Sequence, residues 1–243
     1  MQNINSRYIR QTALPQVGDE GQARLGNANV LVIGAGGLGS PVLMYLAAAG
    51  VGTIHIVDGD TVSISNLNRQ ILYGDNDIGK LKTVCAKNRL LEMNSKLNIE
   101  AIPEMLCAEN ARSIVEMCDV GVLCLDSVDS RKIANRAFVE LGKPYVEASI
   151  HGFAGALMTV VPFQTPCYEC VYANAKEPEG KIPVLGAMAG WVGAAQALAV
   201  IRHVLEIADP FAGSIAMFDG ELMEVDKIAA ARNPKCQICG NGI

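Results

Sequence analysis

The feature that most constrains this chain is a glycine-rich turn, Gly34-Ala35-Gly36-Gly37-Leu38-Gly39, set directly behind a short apolar, β-branched run at residues 29–33. Glycines in such a turn let the backbone approach a phosphate closely. A helix that starts behind them adds N–H donors and a partial positive charge. Residues 41–50 read as that helix, with Pro41 tolerated in its first turn. Asp58 ends the next apolar run, residues 53–57, and stands 19 residues after Gly39. An acid at that place usually binds ribose hydroxyls. The pattern predicts a nucleotide site at the head of a βαβ unit, and by itself it does not separate NAD from ATP.

The alternation continues down the chain. Helical spacing at 80–93, 108–117 and 129–141 is interleaved with strand-like runs at 98–102, 120–125 and 144–148. This order predicts an α/β fold, a Rossmann-like, mostly parallel sheet with helices on both faces. After residue 150 the character changes. Runs at 157–161 and 214–218 look like strands without short crossover helices, and predict an antiparallel C-terminal extension of the sheet. Residues 173–183 are polar, with Pro178, Gly180 and Pro183, and read as a loop. The 243 residues fit one domain, residues 1–150 forming a nucleotide-binding half and 151–243 the remainder. Residues 184–201 carry no charge and contain Gly186-x-x-x-Gly190, which raises the question of a membrane span. Their alanines and glycines make them weakly hydrophobic, so a buried helix is expected. The N-terminus has no apolar core of a secretory signal, so a cytoplasmic protein with reduced thiols is expected. The net charge of −5 argues against a nucleic-acid partner.

Eight cysteines in such a setting suggest metal or packing before disulfides. Two pairs stand out, Cys167-x-x-Cys170 and Cys236-x-x-Cys239, with 65 residues between them. Four thiolates are the set that a tetrahedral structural zinc takes, and they leave no open position for catalysis. Cys85, Cys107, Cys118 and Cys124 lie in apolar runs and read as core.

A third constellation bears on which nucleotide is bound. Asp58 is followed by Ser65-Asn66-Leu67-Asn68-Arg69-Gln70, then Lys82, then Asp126 at a strand end with Arg131 behind it. An NAD site needs no such run of cations and amides. A triphosphate with Mg²⁺ does. Singly, each residue has a plainer reading: Arg69 or Lys82 as solvated surface, Asp126 as a helix N-cap.

Together these residues resemble the MoeB/ThiF family of sulfur-carrier adenylyltransferases, relatives of ubiquitin-activating enzymes. The resemblance runs from Arg7-Tyr8-Ile9-Arg10-Gln11 through the glycine turn, Val57-Asp58-Gly59-Asp60, the Ser65 run and Asp126. It ends in Pro166-Cys167-Tyr168-Glu169-Cys170 and Asn233-Pro234-Lys235-Cys236-Gln237-Ile238-Cys239-Gly240. It implies ATP-dependent adenylylation of the C-terminal Gly-Gly carboxylate of a small ubiquitin-like sulfur-carrier protein, in molybdopterin or thiamine thiazole synthesis. Gly34, Gly36, Gly37 and Gly39 would form the phosphate turn, and Asp58 would hold the ribose. Ser65, Asn66, Leu67, Asn68, Arg69, Lys82 and Ser127 would complete the nucleotide site, and Asp126 would bind Mg²⁺. Arg10 matches an arginine that reaches across a homodimer into the partner's phosphates. Residues 173–183 match the crossover loop over which the carrier's tail lies.

The chain also departs from the pattern. Residues 171–235 contain no cysteine, so the loop offers no thiol for a covalent acyl-enzyme step. No rhodanese-like segment follows Cys239, so a separate sulfur donor protein is expected. Ser127 stands where many members have asparagine. Adenylylation of another peptide carboxylate, or an NAD-dependent oxidoreductase, are the alternatives, and no membrane partner is expected.

Overall fold

The computed structural model describes residues 4–177, 179–180 and 182–240. Pro178 and Lys181 of the expected loop lie outside the described residues. Helices α1 (Ile4–Thr12) and α2 (Gly18–Asn27) precede β1 (Asn29–Ile33), α3 (Gly39–Ala49) and β2 (Thr53–Val57). Then come α4 (Lys82–Met93), β3 (Asn98–Ile102), α5 (Ala111–Glu116), β4 (Val120–Leu123) and α6 (Val128–Glu140). The remainder is β5 (Tyr145–His151), β6 (Ala154–Val160), α7 (Tyr168–Tyr172), α8 (Gly186–Val204), β7 (Ser214–Asp219) and β8 (Glu224–Ala229).

The strands form one sheet in the order β3-β2-β1-β4-β5-β6-β7-β8. The first five run parallel, and β5 through β8 are antiparallel. The expected fold class holds, antiparallel extension included. Burial on both faces explains why the parallel strands read as continuous apolar runs. Within β1, Val30 and Val32 face one core, packed with α3, α4 and α8. Leu31 and Ile33 face the other, packed with α5 and α6.

The differences from the sequence reading have local causes. The helix after the glycine turn starts at Gly39 rather than 41, because the turn feeds it without a break, and Gly50 ends it in the left-handed conformation at φ 82°. The helix expected from residue 80 starts at Lys82, because Leu81 pairs with Thr61 and the Lys80 carbonyl accepts from the Val62 N–H. β5 extends to His151 because β6 pairs with it along its full length. Helices α1 and α2 and strand β8 were not expected. Every residue of β8 is exposed, so it is an edge strand held through backbone bonds to β7, without the alternation that marks a half-buried strand. The uncharged segment is α8, packed on α3, β5 and β6. Among the described residues no helix is long and apolar enough to cross a membrane.

Candidate active site

From β1 the chain builds outward through β2 and β3, then returns to lay β4 on the other side of β1. At such a switch point an open α/β sheet leaves a crevice beyond the carboxyl ends of its strands. Ile33, Val57 and Leu123 are in register, so the segments after β1, β2 and β4 emerge at one level. A cavity of about 980 Å³ opens there.

The glycine turn is its floor. Gly34 sits at φ 96°, and a side chain there would overlap the Cys124 carbonyl. A Cβ on Gly39 would overlap the Gly34 carbonyl. These two glycines answer to the protein's own packing. Gly36 and Gly37 do not: an added Cβ would meet the nearest protein atom only at 3.5 Å at either position, and both line the cavity. What requires glycine there is the close approach of whatever enters, as a phosphate cradle demands.

Asp58 pins the turn to the end of β2. One carboxylate oxygen accepts from the Ala35 N–H and the other from the Asp60 N–H, both at 2.8 Å. Lys82 is 5% exposed, and its Nζ stands 2.8 Å from Asp60 Oδ2 and 4.0 Å from Asp58 Oδ2. It is also the first residue of α4, at the positive end of the helix dipole, where a cation is disfavoured. A buried cation in that place breaks a local rule, and its ion pair with Asp60 keeps it there. Lys80 is exposed near Asp77 and stays out of the cavity lining, so Lys82 is the lysine the cavity receives.

Arg69 lies alongside Gly37, with Nη1 donating to Ser65 O at 2.8 Å and Asn68 Oδ1 at 3.0 Å. Ser65 and Asn68 line the cavity with it, but Asn66 and Leu67 do not. Asn66 Oδ1 accepts from the Ser63 N–H at 3.1 Å and fixes the turn, and Leu67 packs on the core. The Asp126 carboxylate faces the cavity and bonds to no other described residue. It is not the helix cap that its position suggests. Ser127 is, its Oγ accepting from the Ser130 N–H at 3.1 Å. Arg10 is exposed in the last turn of α1 and does not line the cavity.

Other lining residues were not singled out in the sequence. Glu147 is fully buried on β5 and ion-paired with Arg131. A lone carboxylate inside an apolar strand was its signal. Tyr168 and Tyr172, their rings tilted 38° to each other with centroids 5.0 Å apart, and Glu177 of the loop also line the cavity. Burial pushes both tyrosines' pKa values up, so they stay neutral donors. Glu177 Oε1 accepts from the Asp129 N–H at 2.8 Å, and Gly152 donates to Pro183 O at 2.7 Å, so the loop is tied down near its middle and at its C-terminal end.

On the α6 side of the sheet, beside Tyr145 of β5, Cys167, Cys170, Cys236 and Cys239 bring their sulfurs within 4.8 Å of one another. Three of the separations are 3.8, 3.7 and 3.3 Å. Zinc–thiolate bonds of about 2.3 Å in a tetrahedron place sulfurs about 3.8 Å apart, so the set fits zinc. Arg232 braces it, donating to Cys239 O and Phe163 O at 2.6 and 2.7 Å.

A sulfur carrier protein adenylyltransferase of Thermus thermophilus is 40% identical over 97% of this chain and 90% of its own length. A sulfur carrier protein ThiS adenylyltransferase of Escherichia coli is 37% identical over 96% of this chain and 94% of its own. The crystal structure of E. coli MccB with ATP superposes with a TM-score of 0.85, at 25% identity, covering 97% of this chain and 75% of that one. The ThiF family pattern spans residues 8–238, and the chain belongs to the ThiF family.

Proposed function

We propose that this enzyme uses ATP to adenylylate the C-terminal Gly-Gly carboxylate of a small ubiquitin-like sulfur-carrier protein, releasing pyrophosphate. The observation that carries this reading is the meeting of Arg69, Lys82 and Asp126 around a glycine turn whose Gly36 and Gly37 are free of protein packing demands. The carrier relatives at 37% and 40% identity favour a carrier protein over another peptide carboxylate.

The chemistry needs little from a base. The attacking carboxyl group has an ordinary pKa of about 3.5 and is already ionised. Its oxygen forms a bond to the α-phosphorus as the bond to the bridging oxygen breaks, and the electron pair leaves on pyrophosphate. The difficulty is bringing one anion to another. Arg69 and Lys82 supply positive charge in a partly dry site, where it counts for more than in water. The turn's N–H groups and the head of α3 hold the phosphates, Asp58 holds the ribose, and the pocket walls exclude water from the acyl adenylate. Bound Mg²⁺, for which the free Asp126 carboxylate is the fitting ligand, would neutralise phosphate charge. The carrier's extended, small-residue tail would enter beside Glu177, Gly180 and Ile182, which line the cavity. Arg10, outside its own cavity, would complete the site of a partner in a homodimer. Within the single domain, residues 1–150 carry the nucleotide, and 151–243 the carrier surface and zinc. Sulfur would come from a separate donor protein.

The test is ATP–pyrophosphate exchange with Mg²⁺ against small proteins ending in Gly-Gly. Exchange that requires the intact terminal carboxylate establishes the reading and names the carrier. ATP binding with no exchange for any carrier or peptide would overturn it.

A further inference from the structure

Arg131 and Glu147 form a buried ion pair in the cavity wall, 8% and 0% exposed. Such a pair is a poor stabilising device, because desolvating two charges cancels much of their attraction. Its geometry gives it another use. The Arg131 guanidinium donates to the Leu125 carbonyl and, at 2.9 Å, to the Ala148 carbonyl. Leu125 immediately precedes Asp126, and Ala148 lies on the neighbouring strand β5. On the other side of Asp126, Ser127 is fixed by its bonds to the Ser130 N–H and Oγ at 3.1 and 2.7 Å. The backbone of Asp126 is therefore clamped before and behind, while its carboxylate stays free. The planar fork reaches the two carbonyls through separate nitrogens, Nη1 to Ala148 and Nη2 to Leu125, at a spacing and in a plane that a single ammonium does not reproduce. Glu147 has no hydrogen bond to any other described group, so its service is to neutralise that fork where water cannot. Burial lowers the Arg131 pKa from its ordinary value, with nearby Tyr168 and Cys124 among the smaller opposing influences.

We propose that Arg131, with Glu147 as its counter-ion, is a positioning residue that sets the Asp126 carboxylate for the divalent cation accompanying ATP. The inference rests on the nucleotide-binding reading above, but not on the identity of the carrier.

The test is the Mg²⁺ dependence of ATP binding to the full chain, measured by calorimetry without any carrier, beside the thermal midpoint. Arg131→Lys keeps the charge and loses the fork. It is expected to shift the Mg²⁺ concentration at half-maximal binding upward by about tenfold or more, since small displacements of a ligating group carry costs of that order. ATP binding in the absence of Mg²⁺ should change by less than about twofold, because the fork acts through the cation's ligand. Glu147→Gln, nearly isosteric, should shift the same midpoint in the same direction and carries the test if Arg131→Lys does not fold. A lowered thermal midpoint with an unchanged Mg²⁺ midpoint would make the pair merely structural and overturn the proposal. Wild-type ATP binding that ignores Mg²⁺ would also overturn it. Wild-type Mg²⁺-dependent binding without exchange for any carrier would sink the functional reading and leave this one standing.

Discussion

At the scale of single residues, the glycine turn separates two demands that look alike in sequence. Gly39 is held by its approach to the Gly34 carbonyl, so Gly39→Ala should destabilise the fold by about 3 kcal/mol or more, read by denaturant unfolding. Gly37→Ala has room for its methyl group, so it should keep stability within about 0.5 kcal/mol while ATP affinity falls. Arg69→Ala should abolish pyrophosphate exchange and leave metal content and thermal midpoint near wild type; normal exchange would remove Arg69 from the proposed site. That the glycine turn, Asp58, Arg69 and Lys82 would line one cavity was legible, because the switch-point topology brings the segments after β1 and β2 together. That Asn66 and Leu67 stay out of the cavity lining was not legible, for a contiguous run does not show which members turn inward. Glu147 and the two tyrosines were missed, because a wall built from β5 and α7 draws residues that only the tertiary fold makes neighbours.

At the scale of elements, the parallel half of the sheet was legible from its apolar runs and the antiparallel half only in outline. The edge strand β8 could not be read, since all its side chains are in water. Helix α8 carries a titrating group, His203. His203 lies in its last turn, where the helix dipole would favour a cation, yet burial outweighs this and lowers its pKa, against a smaller opposing pull from Asp209. With the folded pKa below the ordinary 6.5, the unfolded chain binds the proton more readily. The contribution of neutral His203 is therefore complete above about pH 6.5 and is lost as pH falls through the folded pKa. Between about pH 8 and 5 the wild-type thermal midpoint should drop further than that of His203→Gln. Equal slopes would show that His203 protonates freely in the folded state.

At the scale of the whole molecule, the two cores meet different fates if the four-cysteine cluster is opened. The cluster packs with Phe138 and Tyr145 on the α5–α6 side of the sheet, away from the core beneath α3 and α8. Cys236→Ser should lose bound zinc and lower the thermal midpoint by several degrees, in line with metal binding that is also folding energy. Limited proteolysis should then release the segment after β8 first. Retained zinc in that variant would show that the four thiols are not one site.

The distance in sequence between the two halves of that cluster bears on how the chain assembles. Neither Cys-x-x-Cys pair can close a tetrahedron alone, and 65 residues separate them. The four sulfurs are brought together by the sheet, with β7 and β8 lying in sequence between α7 and the tail that carries Cys236 and Cys239. Non-local pairings of this kind form late and slowly. A metal held there would act as a latch across two distant stretches of chain, joining α7 to the tail behind β8.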